Sequence, residues 1–270
     1  MADSIITWSE KACKIYLPVP TKTDHKYRRG VLGCITGSKE YPGAALLTTS
    51  AALAVGIGMV RYFGPEVVKR AVIQNRPEVV IQTGQVDAYL LGSGVPSKRS
   101  LFRKITMEMA NRTNLPKVLD AGALYLTGTS KSPTIITPHA GELAELLHEK
   151  TSEIEKNPLK FALEAARKYK VTVLLKGNAT LVTNGEVTIK LPRATSWLAT
   201  AGTGDVLAGI LGALIALNNK VVNHQNLVEL GATAALVHST AASLSSKGPI
   251  SPSEMVNFIP VAILKLSKKG

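Results

Sequence analysis

The segment Ala201-Gly202-Thr203-Gly204-Asp205-Val206-Leu207-Ala208-Gly209 runs a glycine-rich turn straight into a long apolar helical pattern. Glycines let main-chain N–H groups approach an anion closely, and a helix N-terminus adds positive potential. The turn reads as an anion cradle. It is not a P-loop, because no Lys-Ser/Thr pair follows the glycines. Asp205 stands where a carboxylate would repel phosphate. Its position makes sense if it accepts a proton from a hydroxyl that attacks that phosphate. The plainer alternative is that Thr203 or Asp205 only caps the helix.

Four more clusters could touch a ligand. Lys176-Gly177-Asn178-Ala179-Thr180 offers a point charge and several amides to phosphate oxygens, or is a solvated strand end. Thr137-Pro138-His139-Ala140-Gly141-Glu142 lies at a strand-to-helix junction. There His139 could face a ligand, and Glu142 could hold Mg²⁺ directly or through water. Glu142 could equally be a first-turn acid that favours the helix dipole. In Gly37-Ser38-Lys39-Glu40-Tyr41-Pro42-Gly43-Ala44, Pro-Gly opens a helix of small residues. A flat ligand could lie against its backbone, or the small residues could serve close helix packing. Gly92-Ser93-Gly94 is a short glycine turn after an apolar run.

These clusters need elements to carry them, and the chain alternates strand-like with helix-like segments. VLGCITG, MVRYFGP, EVVIQTG, AYLLGSG, KVLDAG, TIITPH and VTVLLKG are short, apolar and stopped by Gly, Pro or a polar residue. LFRKITMEMANRT and LKFALEAARKYK have helical spacing. ATLVT and EVTIK flank Asn184-Gly185, a strong hairpin signal. The last third is mostly helical: DVLAGILGALIALNN, NLVELGATAALVHSTAASL and SEMVNFIPVAILKL. Alternating β and α imply an α/β fold, a doubly wound, mostly parallel sheet with helices on both faces. The hairpin adds an antiparallel piece toward one edge. No repeat or linker divides residues 1–270, so one domain is expected. In such a sheet the carboxyl ends of the strands share one edge, where ligands bind. The five clusters follow strand-like runs and can meet there.

Composition limits the alternatives. The chain has 270 residues, 45% apolar and 19% charged, which excludes a disordered polymer. The formal charge of +13 could attract nucleic acid or small polyanions. The basic residues are scattered, so a nucleic-acid surface is not expected. Gly43 to Val60 holds 18 uncharged residues, but its hydroxyls and glycines suit a buried helix better than a membrane span. Ala201 to Leu217, with Asp205 as its one charge, reads the same way. Two cysteines, Cys13 and Cys34, cannot build a disulfide framework, although a single bridge stays open. They suit a reducing, cytoplasmic setting, and the N-terminus lacks the pattern of a secretory signal.

Taken in order, these segments resemble the NAD(P)H-hydrate dehydratase family of the ribokinase-like superfamily. The match runs from Gly37 to Ala44, through VLDAGAL (Val118 to Leu124) and Thr137 to Glu142, to Lys176 to Thr180 and Ala201 to Gly209. Two places depart from the family's usual pattern. Gly92-Ser93-Gly94-Val95-Pro96 stands for Gly-Pro-Gly-Leu-Gly, and Asp120-Ala121-Gly122-Ala123-Leu124 stands for Asp-Ala-Asp-Ala-Leu. The resemblance implies a three-layer α/β/α lyase that repairs the 6-hydroxy hydrates of NADH and NADPH (NADHX and NADPHX) at the expense of ADP or ATP with Mg²⁺. It implies Asp205 as base, with Gly202 and Gly204 stabilising the charge on the phosphate. Lys176, Gly177, Asn178, Ala179, Thr180 and Gly204 would contact the nucleotide. Ala44, Gly94, His139 and Asp205 would contact the hydrate, and Glu142 the metal. It further implies a homo-oligomer, a tetramer or larger, and a separate epimerase in the same pathway. The competing readings are a small-molecule kinase of the same fold, of hydroxyethylthiazole or hydroxymethylpyrimidine type, and a nucleotide-binding protein without catalysis.

Overall fold

The computed structural model describes residues 4–96 and 101–268. In chain order the elements are β1 (Ser4–Thr7), α1 (Glu10–Cys13), β2 (Val31–Ile35), α2 (Pro42–Ala54), β3 (Met59–Tyr62), α3 (Glu66–Asn75) and β4 (Ala88–Leu91). Then come α4 (Leu101–Asn111), β5 (Lys117–Leu119), β6 (Thr134–Ile136), α5 (Ala140–Leu147), α6 (Thr151–Lys156), α7 (Pro158–Tyr169) and β7 (Thr172–Leu175). The chain closes with β8 (Leu181–Thr183), β9 (Val187–Lys190), α8 (Thr203–Leu217), α9 (Leu227–Ser245), α10 (Pro252–Met255) and α11 (Ile259–Lys268). The nine strands form one sheet in the order β1-β9-β8-β7-β6-β5-β4-β2-β3. Pairing is parallel except at β7–β8 and β8–β9, where the Asn184-Gly185 turn closes the expected hairpin.

Two expectations are corrected. EVVIQTG is not a strand; its one sheet contact is an isolated bridge between Arg61 and Val80. Pro77 and Gly84 bracket too short a run for a ladder to form. Conversely, Ser4–Thr7 was not foreseen as a strand. It pairs in parallel with β9 and makes the outer edge beyond the hairpin. A parallel partner so distant in sequence leaves no local turn signal to read.

The alternating inward and outward residues of the strands divide two cores. Leu32, Cys34, Leu90, Val118, Ile135 and Leu174 pack with α2, α8 and α9 on one face. Ile35, Leu91, Leu119, Ile136, Val173 and Leu175 pack with α5 and α7 on the other. Apolar residues at both alternating positions explain why these strands read as continuous apolar runs. Cys13 and Cys34 are both free and buried.

The two uncharged stretches resolve into buried elements. Gly43 to Val60 divides into α2 and β3. Helix α8 has an almost wholly buried sequence. Among the described residues one helix, α9, is long and apolar enough to cross a membrane, with a mean hydropathy of 1.2, and 67% of that window is buried in the protein.

Helices α2 and α8 touch along their length, and Gly209 sets the separation. A Cβ added there would lie 2.4 Å from the Thr48 carbonyl oxygen and 2.9 Å from Ala51 Cβ. The clash is with backbone, so a larger residue must push the helices apart. Gly209→Val is expected to lower the midpoint of urea unfolding by the equivalent of about 1–3 kcal/mol. A midpoint equal to that of the parent would show that the pair is loosely packed.

Candidate active site

The strand ends are tied to one another by hydrogen bonds. Gly37 N–H donates to the Ser93 carbonyl at 2.7 Å, joining the ends of β2 and β4. Ser93 Oγ donates to Asp120 Oδ2 at 2.8 Å, and Thr137 Oγ1 donates to Asp120 Oδ1 at 2.7 Å. Lys176 N–H donates to the Pro138 carbonyl at 2.8 Å, joining β6 to β7. Asp120 itself is buried, 3% exposed, and sits at the centre of this line.

Lys176 closes the arrangement. Its ammonium lies 3.2 Å from Asp120 Oδ1 and 3.6 Å from Glu142 Oε2. Burial alone would lower its pKa, but the carboxylates of Asp120, Glu142 and Asp205 hold it above the usual lysine value. Lys176 is therefore a fixed cation shared by three acids, not a loose surface charge. Those three carboxylates leave surplus negative charge around one ammonium. Among the described residues no three acid, histidine or cysteine side chains are grouped as ligands for a metal. Asp120 has both oxygens engaged, and Glu142 is the other acid in contact with Lys176.

Glu142 has a structural task as well. Its Oε2 accepts from the His139 N–H at 2.8 Å, while His139 Nδ1 accepts from the N–H groups of Gly141 and Glu142. Together they form a capping box at the start of α5. Because Nδ1 accepts, the ring proton of neutral His139 is on Nε2, 3.6 Å from the Glu142 carboxylate. Glu142 is a first-turn acid of α5, as one of its two readings had it, and its carboxylate also accepts from the N-cap amide.

The capping alternative is not borne out for α8. The residue preceding that helix is Gly202, with φ of +98° and no side-chain cap. Such a backbone favours glycine. Thr203 Oγ1 donates instead to the carbonyls of Leu198 and Thr200. Thr203 N–H also reaches Thr200 O, which leaves the Gly204 and Asp205 amides as first-turn donors without a backbone acceptor. Burial and the neighbouring Asp120 carboxylate push the Asp205 carboxyl up to about 7, against the pull of Lys176. A carboxyl at that value is matched to proton transfer near neutrality.

A cavity of about 420 Å³ adjoins this turn. Lys176, Gly177, Asn178, Thr180, Gly204 and His139 all line it, and a second hollow takes in Ala179 of the same loop. Ala194, Thr195, Ser196, Leu198, Ala199, Ala235, His238 and Ser239 form more of the wall, and none of them was anticipated. Ala44 and Gly94 lie elsewhere, against each other: a Cβ on Gly94 would come within 2.2 Å of Ala44 Cβ. Asp120 was quoted as part of a motif but given no role. It ends an apolar strand as the other clusters do, so the same rule could have found it.

A family model described as NAD(P)H-hydrate dehydratase matches residues 32–257. The chain belongs to the NAD(P)H-hydrate dehydratase family. A bifunctional NAD(P)H-hydrate repair enzyme of Mycobacterium leprae is 36% identical, over 93% of this chain and 54% of its own length. An ADP-dependent (S)-NAD(P)H-hydrate dehydratase of Neisseria meningitidis is 30% identical, over 82% of this chain and 78% of its own. An ADP/ATP-dependent NAD(P)H-hydrate dehydratase from Bacillus subtilis, co-crystallised with ATP/Mg²⁺, superposes with a TM-score of 0.84 at 25% identity, covering 96% of this chain and 98% of that one. The ribokinase-like architecture expected from the sequence is thereby shown. The chain spans about half the length of the first of its curated relatives.

The two departures from the dehydratase family's pattern meet in space. A Cβ on Gly122 would lie 1.9 Å from the Val95 carbonyl oxygen. The Val95 carbonyl occupies the room that a side chain at 122 would need.

Keeping Asp205 beside Asp120 in a partly buried place has a stability consequence. Its folded pKa lies above the unfolded value, so the folded state holds the proton more tightly. Stability from this group is present below about pH 4 and is lost as pH rises toward 7. Asp205→Asn is expected to unfold later than the parent at pH 8, by on the order of 1–3 kcal/mol, with the gap closing toward pH 4. A gap that is the same at both pH values would remove the raised pKa.

Proposed function

We propose that the protein dehydrates the S-form of NADHX or NADPHX to NADH or NADPH, coupled to cleavage of ADP or ATP. The observation that carries this reading is Asp205, a carboxyl poised near 7, adjoining unpaired amides at the start of α8. The substrate's 6-hydroxyl gives its proton to Asp205 as its oxygen attacks the terminal phosphorus. The Gly204 and Asp205 amides hold the phosphate oxygens as the bond to the nucleotide breaks. The phosphorylated hydrate then expels phosphate, driven by the lone pair of the ring nitrogen, and loss of a proton from C5 of the resulting iminium restores the reduced nicotinamide. Asp205 and the fixed amides complete the phosphorylation, and elimination follows from the substrate's own electronics.

Lys176 and the 177–180 amides support a nucleotide in the 420 Å³ cavity. Its Mg²⁺ would supply charge neutralisation to the phosphates, with Glu142 the acid best able to reach it. Ala44 and Gly94, with His139, are assigned to the hydrate. Loss of a side chain at 122 removes a carboxylate but leaves Asp120 and its three partners in place, so the chemistry at Asp205 is retained. Epimerisation of the R-form is assigned to protein outside residues 1–270.

A nucleotide-screened assay on the S-form hydrate, following absorbance of the reduced nicotinamide, tests the reading. Recovered NADH with one phosphate released per turnover supports it. A stable phosphorylated alcohol in the mass spectrum would mark a kinase, and nucleotide binding without turnover a non-catalytic protein. Asp205→Asn is expected to keep nucleotide binding and lose at least about a hundredfold in turnover. Lys176→Ala is expected to weaken the nucleotide about tenfold, and more than the hydrate. Equal weakening of both ligands in a titration would take Lys176 off the phosphates.

A further inference from the structure

His238 lies on α9, buried, with Nε2 2.9 Å from the Thr203 carbonyl oxygen. A carbonyl only accepts, so Nε2 carries the proton. Burial pushes this imidazole down to about 4, against the pull of the Thr203 carbonyl and helped by the Lys176 ammonium. The ring is therefore a neutral donor at the pH where the protein works. No carboxylate pairs with it in the described structure, and it also lines the 420 Å³ cavity.

The acceptor matters because of what shares its peptide plane. The Thr203 C=O and the Gly204 N–H belong to one planar trans peptide unit. Fixing the direction of that carbonyl fixes the direction of that amide. A hydrogen bond to the carbonyl also polarises the unit, so the amide becomes a stronger donor. Gly204 N–H is one of the two first-turn amides without a backbone acceptor.

We infer that His238 is a positioning residue that aims and strengthens the Gly204 N–H toward the donor's terminal phosphate, through the Thr203–Gly204 peptide. The chemical path runs imidazole N–H to carbonyl oxygen, across the amide, to phosphate oxygen. This rests on the proposal that the α8 turn grips that phosphate. Thr203 contributes from the other side, because its hydroxyl holds the preceding loop through Leu198 and Thr200.

The test compares His238→Leu, which keeps bulk and loses the donor, with His238→Gln, whose amide can reach as far as Nε2. His238→Asn, too short to reach, is the third variant. Affinities for ATP, ADP and AMP are measured by calorimetry on each full-length variant, with thermal unfolding alongside. Expected is about a tenfold loss of ATP or ADP affinity in Leu and Asn variants, a recovery of most of it in Gln, and little change for AMP. Turnover of the hydrate, where present, should fall in kcat more than in KM for the hydrate, in the same order. Equal weakening of AMP and ATP, or equal loss in the Gln and Asn variants, overturns the inference. If His238→Leu does not fold, the Gln-to-Asn comparison decides alone. A protein that lacks dehydratase activity still reports through the nucleotide affinities, so the two proposals fail separately.

Discussion

One buried ammonium organises the upper edge of this sheet. Lys176 stands between Asp120 and Glu142 and feels Asp205. Without it, three carboxylates would share a partly dry space, and like charges so close cannot all remain ionised. With it, part of that charge is offset, yet burial and the Asp120 carboxylate still push the Asp205 carboxyl up to about 7 against the pull of Lys176. The acid–base character of Asp205 is thus set by burial first and by Asp120 and Lys176 in opposition. Asp120 is held by two hydroxyls as well as by Lys176, which keeps it from turning toward Asp205.

The second constraint is steric. The two helices that face the site, α2 and α8, approach until an added methyl at Gly209 would strike backbone. Gly202 adopts a left-handed turn at the head of α8, and Gly94 presses against Ala44 at the head of α2. Small residues therefore do two jobs in one region. They bring the helices together, and they leave main-chain amides accessible at the cavity. The sequence alone could not separate these tasks for Tyr41 to Ala45, because both ask for the same residue types.

Most of the sheet was legible because both alternating positions of its central strands are apolar and each run ends in a small or polar residue. The exceptions have physical reasons. Within residues 78–84 only Val79, Val80 and Ile81 are apolar, too short a run to ladder beyond one bridge, and β1 pairs with a strand 183 residues away, Ser4 opposite Val187. The site was legible where glycine spacing marks a special backbone, as at 202–204 and 176–180. It was less legible where a buried polar side chain acts through a neighbour. Asp120, Ser93 and Thr137 each follow an apolar strand, but only the fold shows that they bond to one another, and His238 has no local pattern at all. Asp205 does not cap its helix, whereas Glu142, read as a first-turn acid, also caps α5, and neither spacing could have said so.

The chemistry proposed here asks little of the protein beyond one proton acceptor and fixed donors for a phosphate. A kinase on the same fold needs the same two things. What separates a repair enzyme from a kinase is then the alcohol, which in the hydrate sits next to a nitrogen able to expel the phosphate it receives. On the proposal made above, discrimination would come from the residues assigned to the ring, Ala44, Gly94 and His139. Next to Gly94, the Val95 carbonyl fills the space that a side chain at 122 would need. The two ends are not independent, because His139 lines the same cavity as Lys176 and Gly204 while Ala44 and Gly94 lie apart from it, and Asp120 ties the β4 and β6 ends to Lys176.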